Sequence, residues 1–408
     1  MRKEIIAGLS TFFTVGYLIL LYPKILSEGG VDFGSALTAT ILTIVLSTTF
    51  LALYAHFPVV LAPGLSIGPY LVYSVILQDH VSWQTAFGIV FWAGVVLLLM
   101  SLFKLRQKIL LHLPPSIKSA AIAGIGLFLI CISLKNLSLF EGHVLTLPNA
   151  IVLFGLLLFF TLHYFQISSA FLITTLFCWL IAFPFGLAHW SGLVALPASI
   201  HPTLFQLDFL TPLQPLLWGT VLSVILINLF DTSAAITILA KLAHKLDSQG
   251  QVKDLDRIVI PDGAGNIVAS FLGTGTLTYT LESASGIKAG GRGATTALVS
   301  AFCCLTGLFF YPLISSIPLF ATAPAMIAIG IFMAQEVRNI RWRDYTESVP
   351  AALTLVTIPV TFSIYSGFSF GFISYVFLKA INGQWRQVHP VCWILAFIFA
   401  AHLLLNHP

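Results

Sequence analysis

The feature that most constrains this chain is the recurrence, along its whole length, of apolar runs about twenty residues long, which is roughly what a helix needs to cross a hydrocarbon core about 30 Å thick. Only 8% of the 408 residues are charged and 58% are hydrophobic, against about 25% charged in soluble domains. Most of the surface must therefore face lipid or other helices. Candidate helices cover about 5–22, 36–56, 64–78, 84–103, 116–135, 148–164 and 168–189, and then 213–240, 260–271, 277–289, 293–316, 319–334, 348–364 and 366–381. The reading is an all-α membrane protein with about 14 transmembrane helices. The stretch 389–406 is either a further crossing or a surface helix. No small-residue cleavage site follows the first run before Pro23-Lys24, so that run is expected to be a retained helix.

A formal charge of +4 would suggest anionic partners in a soluble protein. Here the basic residues cluster at Lys104–Lys118, Lys241–Arg257 and Arg338–Arg343, which fall on one side of the membrane if Arg2 and Lys3 are cytoplasmic. They are read as topology markers, and no nucleic-acid partner is expected. Cys131, Cys178, Cys303, Cys304 and Cys392 lie in or beside apolar runs without metal-ligand spacing, and His56, His163 and His189 fall at span ends, so no metal or other cofactor is expected.

Two short candidate helices break the pattern at matching places. Ala62-Pro63-Gly64-Leu65-Ser66 precedes one and Leu272-Gly273-Thr274-Gly275-Thr276 precedes the other, about half a chain later. Interruptions of this kind at corresponding positions point to an inverted-repeat transporter whose site lies between the repeats. The organisation expected is 1–190 as the first repeat, 191–212 as a linker loop on the non-cytoplasmic side, and 213–408 as the second repeat.

Of fifteen acidic residues, twelve fall in loops or at span ends, Glu141 and Glu336 among them. Asp231 and Glu282 do not: each lies inside an apolar run, where an acidic side chain costs about 2.5–3.5 kcal/mol on insertion scales and so normally faces a polar cavity. Asp262 follows Pro261 near an expected helix start, where a role at the helix N-terminus and a functional role are both open. Around Glu282 stand Thr276, Thr278, Thr280 and Ser283, which together with Ser66 at the first break supply hydroxyls to a ligand or to backbone freed by the breaks. Phe13 and Tyr17 lie one turn apart and are candidates to stack on an aromatic ligand. This set suits a neutral heterocycle carrying adjacent N–H and carbonyl groups, and Glu282 and Asp231 are the candidates for proton coupling. Gly290-Gly291-Arg292-Gly293 lacks the order of a phosphate loop and is read as a tight turn. The chain has no GxSxG and no HExxH motif, so an enzyme is not expected.

The stretches EIIAGLSTFFTVGYLILLYPKILSEGG, APGLSIGPYLVYS, PPSIKSAAIAGIGLFLICISLKN, LFDTSAA, GTGTLTYTLESASGIKAGGRGATTA and TESVPAALTLVTIPVTFSIYSGFSFGFISYVFLK together resemble the azaguanine-type guanine/hypoxanthine permeases of the nucleobase:cation symporter superfamily. The resemblance implies two inverted seven-helix repeats divided into a core domain, about 1–104 and 213–316, and a gate domain, about 116–189 and 319–408. It also implies two broken helices with short extended segments, and a substrate held between core and gate near Asp231 and Glu282. The chain departs from the family pattern at Tyr22, where Asn is common, at Gly68 for Asn, Pro69 for Ala and Asn228 for Asp, and at Gly275 and Tyr279 in TGTLTYT. Gly68 is expected to remove an amide contact to the purine.

The expected function is import of a purine nucleobase (guanine, hypoxanthine or adenine) across a bacterial inner membrane by proton symport with alternating access. The alternatives are a carrier of the same fold for uracil, xanthine or an anion, and a non-transporting membrane sensor. A homodimer is one candidate assembly.

Overall fold

The computed structural model describes residues 1–139, 142, 146–248 and 250–406, so Glu141 lies outside the described residues. The first set of seven crossings begins with α1 (Arg2–Val15) and α2 (Tyr17–Glu28), a single span bent at Gly16. It continues with α3 (Phe33–Ala55), strand β1 (Leu61–Pro63) leading to a π-helix (Tyr70–Gln78), and α4 (Trp83–Leu102). A short α5 (Leu105–His112) precedes α6 (Pro115–Asn136), α7 (Leu147–Tyr164) and α8 (Ala170–Ala182). The second set repeats this order with α9 (Trp218–Leu242), α10 (Leu255–Leu272), strand β2 (Leu277–Tyr279) leading to α11 (Ala284–Lys288), and α12 (Ala294–Thr306) continued by α13 (Tyr311–Ser316). It closes with α14 (Ala323–Ala334), α15 (Tyr345–Thr361) and α16 (Ile364–Ile381), and α17 (Pro390–Asn406) follows. Seven crossings is an odd number, so the second set enters from the opposite side and the repeats are inverted.

Among the described residues nine helices are long and apolar enough to span a bilayer unaided. The remaining crossings are short, kinked by proline, or broken, and neighbours support them. Helix starts follow local capping: Asp32 Oδ2 accepts from Ser35 N at 2.8 Å at the head of α3, and Asp344 Oδ1 accepts from Thr346 N at 3.0 Å at the head of α15.

Packing separates the helices into two bodies. In one, α4 lies along α10, α10 packs on α3, and α1 and α3 pack on α12. In the other, α6 packs against α14 and α15, α15 pairs with α16, and α7 and α8 close on α14. Gly126 of α6 and Gly330 of α14 meet so closely that a Cβ on either would stand 2.5 Å from the other's carbonyl oxygen. The glycine is used for packing within the chain.

The two breaks pair with each other. β1 and β2 are antiparallel, with Leu61 opposite Tyr279, Ala62 opposite Thr278 and Pro63 opposite Leu277. Gly64 N donates to Thr276 O at 3.1 Å and Thr280 N to Val60 O at 3.2 Å. Non-helical backbone in hydrocarbon must be satisfied within the protein, and each break satisfies the other.

Four expectations need correction. The helix expected from 64 is turn over 65–67 and helical only from Gly68, and the helix expected from 277 begins as strand β2. Asp262 is not at a helix start: α10 begins at Leu255, accommodates Pro261 inside it, and buries Asp262 completely. Phe13 is half exposed and is not among the cavity-lining residues, whereas Tyr17 is buried and lines the cavity. The open question of 389–406 is also answered. Cys392 of α17 lies near His112 O at the end of α5, and His402 lies 2.6 Å from Leu216 O beside the start of α9. Those landmarks sit on opposite faces, so α17 traverses the layer.

Candidate functional site

At the level of the strand pair a cavity of about 300 Å³ opens between the two bodies. One wall brings Tyr17, Ser66, Asp231, Thr278, Thr280 and Glu282 together, and the other is apolar, with Ile122 from α6 and Ile329, Phe332 and Met333 from α14. Glu282 is in the short turn after β2. Its Oε1 accepts from Tyr17 Oη at 2.7 Å, and its backbone carbonyl accepts from Thr14 Oγ1 at 3.1 Å. Tyr17 in turn stacks on Phe171 of α8, with ring centroids 4.7 Å apart. Asp231, midway along α9, accepts a hydrogen bond from Ser66 Oγ. A carboxylate on each side of the broken segments thus holds one protein hydroxyl and presents its remaining acceptor capacity to the cavity.

The remaining hydroxyl-bearing residues lie at the breaks. Ser283 is fully buried: its Oγ accepts from Val60 N at 3.1 Å and lies 2.9 Å from Thr280 Oγ1, which itself donates to Val60 O at 2.9 Å. Thr276 is buried behind the strand pair, contributes its carbonyl to Gly64, and is not among the cavity-lining residues. Glu336, read as a span-end acid, lines the cavity below α14 next to exposed Arg338. Its distance in sequence from the other two carboxylates hides that relation.

Behind the strand pair lies a buried polar network that composition gave no reason to expect. Arg106, which the sequence grouped with the topology-marking basic residues, is instead buried. Its Nη2 is 2.6 Å from Asp262 Oδ2 and donates to Asn228 Oδ1 at 3.0 Å. Asn228 Nδ2 donates to Leu277 O at 2.9 Å and Asn266 Oδ1 accepts from Leu277 N at 2.7 Å, so β2 is held by both polar groups of one residue. Thr232 Oγ1 adds a bond to Asp262 Oδ2 at 3.3 Å. Asn228 therefore supports the strand and does not line the cavity. Gly68 is not among the lining residues either: its Cα faces the ring of Tyr22. Tyr279 turns its hydroxyl away, donating to Ile258 O.

On the far side of the breaks the two bodies are joined. Asn136 Nδ2 donates to Tyr73 Oη at 2.9 Å, Gln78 Nε2 donates to Thr361 O at 3.0 Å, and Ser74 Oγ donates to Phe362 O. Tyr73, Ser74 and Gln78 are all on the π-helix, a geometry frequent at functional sites. Among the described residues no group of three or more His, Cys, Asp and Glu side chains could hold a metal.

Residues 2–370 match the family Xan_ur_permease, a permease family. The adenine permease AdeQ of Escherichia coli K12 is 32% identical over 417 residues, covering 99% of this chain and 93% of that protein. The guanine/hypoxanthine permease PbuO of Bacillus subtilis 168 is 33% identical over 422 residues, covering 99% of this chain and 98% of that protein. Among solved structures, the transmembrane domain of a cyanobacterium bicarbonate transporter, BicA, matches with a TM-score of 0.66 at 16% identity over 90% of this chain and 97% of that one, which is a likeness of fold.

Proposed function

This chain belongs to the Xan_ur_permease permease family, and from that premise we propose that this multi-pass membrane protein imports a purine nucleobase, with guanine, hypoxanthine and adenine as the candidates. The observation that carries the reading is the meeting of Asp231 and Glu282, two carboxylates of the second repeat, on one cavity between the two bodies. Its volume of about 300 Å³ is at the small end of the roughly 300–1,000 Å³ typical of small-molecule sites. A planar base fits the chemistry on both sides: its ring N–H groups would donate to Glu282 and Asp231, the hydroxyls of Ser66, Thr278 and Thr280 border its edge, and Phe332 and Tyr17 flank its faces. The names of the adenine and guanine/hypoxanthine relatives support this substrate class.

The transport cycle is a rocking of a core body, about 1–104 and 213–316, against a gate body, about 116–189 and 319–408. The cavity reaches Glu336 at the end of α14, on the side marked by the basic loops, while Tyr73, Ser74 and Gln78 close the opposite side. This supports a cytoplasm-facing state, whose conversion to an outward-facing one requires those three hydrogen bonds to break. Uptake is coupled to protons through Glu282 and Asp231, since an uncompensated carboxylate is costly in this setting and that cost is relieved when the group takes up a proton or meets ligand N–H donors.

The test is uptake of radiolabelled adenine, guanine and hypoxanthine by cells lacking their own purine permeases, with and without a protonophore. Uracil and xanthine serve as competitors. Glu282→Gln and Asp231→Asn are expected to abolish accumulation while leaving the amount of protein in the membrane unchanged. Undiminished accumulation by both variants would sink the site, and uptake indifferent to the protonophore would sink the coupling.

A further inference from the structure

Tyr22 is fully buried in α2, and among the described residues its hydroxyl has no hydrogen-bond partner. Leaving a buried hydroxyl unpaired costs about 1–3 kcal/mol, so this phenol is there for its shape. Two glycines, one from each break, define the slot it occupies. A Cβ on Gly68 would stand 2.3 Å from Tyr22 Cε2 and 3.0 Å from its Cζ. A Cβ on Gly275 would stand 2.0 Å from Tyr22 Oη, with Cζ next at 3.2 Å. Neither glycine has the left-handed φ that would demand glycine for conformational reasons. Space alone makes them glycine.

We infer that Tyr22 is a positioning residue, a wedge whose phenol sets the separation of the two broken segments and thereby the spacing of the Asp231 and Glu282 sides of the cavity. Gly68 is two residues from Ser66, which binds Asp231, and Gly275 adjoins Thr276, whose carbonyl receives Gly64 N and so joins the strands. Any change in the thickness of the slot is passed to the ligand-facing residues over two or three peptide units. The three positions act as one steric unit, although they lie far apart in sequence.

The distances make the two glycines respond differently to the same repair. Gly275→Ala collides with the hydroxyl alone, so Tyr22→Phe relieves it. Gly68→Ala collides with the ring itself, so Tyr22→Phe leaves it unrelieved. This inference rests on the transport reading, and two readouts keep the two apart. In purine uptake, normalised to the folded protein in the membrane, Gly275→Ala is expected to raise KM by on the order of tenfold, because displacing a site by about 1 Å costs that much or more. Tyr22→Phe alone, which withdraws the atom that reaches Gly275, is expected to raise KM, Tyr22→Phe with Gly275→Ala refills the slot and returns KM toward the native value, and Tyr22→Phe with Gly68→Ala stays impaired. The thermal stability of the purified protein, which involves no substrate, is expected to follow the same order of variants. Native uptake of no purine would defeat the transport reading and leave the stability pattern as the test of the wedge. An unaffected Gly275→Ala, a repair by Tyr22→Phe at both glycines or at neither, or a stability pattern with no matching change in KM would overturn the positioning role.

Discussion

Replacing Asp262 with Ala tests the buried network behind the cavity most directly. Asp262 and Arg106 are joined at 2.6 Å with side chains 0% and 4% exposed, and Asp262 also receives Thr232 Oγ1. The variant leaves a guanidinium deep in the protein with its charge uncompensated. Removing one member of such a pair typically costs about 3–5 kcal/mol, whereas replacing both by apolar residues is close to neutral. With an unfolding entropy of roughly 2.1 cal/mol/K per residue, that loss over 408 residues corresponds to a fall in Tm of roughly 4–6 °C. The assay is thermal unfolding of the detergent-purified protein for Asp262→Ala, Arg106→Met and Arg106→Met with Asp262→Leu. The double variant is expected to recover most of the loss, because Asn228 keeps its bond to Leu277 O when both charges are gone. A single variant within 1 °C of the native protein, or a double variant worse than either single one, refutes the claim that the pair is dry and mutually dependent.

Two further outcomes follow from contacts elsewhere. Gly330→Leu, which forces side-chain atoms into the carbonyl of Gly126, is expected to destabilise the protein by at least the roughly 1–3 kcal/mol of ordinary overpacking, measured as a fall in Tm; an unchanged Tm contradicts the close crossing of α6 and α14. In the linker, the Thr211 hydroxyl together with the Leu210 and Thr211 amides holds the Asp208 carboxyl below its ordinary range, with Thr85 adding a further bond. A carboxylate whose folded value is depressed stabilises above its unfolded value of about 3.9 and loses that contribution as pH falls through the folded value. Hydrogen exchange at Leu210 and Thr211, corrected for its intrinsic pH dependence, should therefore accelerate in acid, and Asp208→Ala should show the same acceleration at neutral pH. Flat exchange in both conditions rules out the tether.

Much of this architecture is readable in the chain itself, since hydrophobic run length fixes the crossings and the Pro63-Gly64 and Gly273–Gly275 interruptions mark the two breaks. Asp231 and Glu282 stand out because acids are rare in such runs. What could not be read depends on partners distant in sequence. Pro261 looked like a helix start because a proline at the first turn and a proline inside a supported membrane helix give the same local signal. Arg106 looked like a surface cation because its partners, Asn228 and Asp262, lie more than a hundred residues away. Glu336 looked like a span end, which it is, but that end borders the cavity. Tyr22, Gly68 and Gly275 read as three unrelated departures from a family pattern, and only their distances reveal a shared volume.

The pairing of β1 with β2 also bears on how the protein is made. Residues around Val60 receive their partners from Thr280, 220 residues later in the chain. At synthesis rates of about 5–20 residues per second, the first break waits on the order of ten to forty seconds before the second emerges. Throughout that interval a stretch of unpaired backbone cannot rest in lipid, so the nascent first repeat has to remain at the insertion machinery, at the wet interface, or under a chaperone's cover. The strand pair that organises the substrate cavity therefore cannot form before the second break has been made, however early the first repeat is inserted. Chains truncated before Leu277 should be cleared by membrane quality control even though every crossing of the first repeat has already been synthesised.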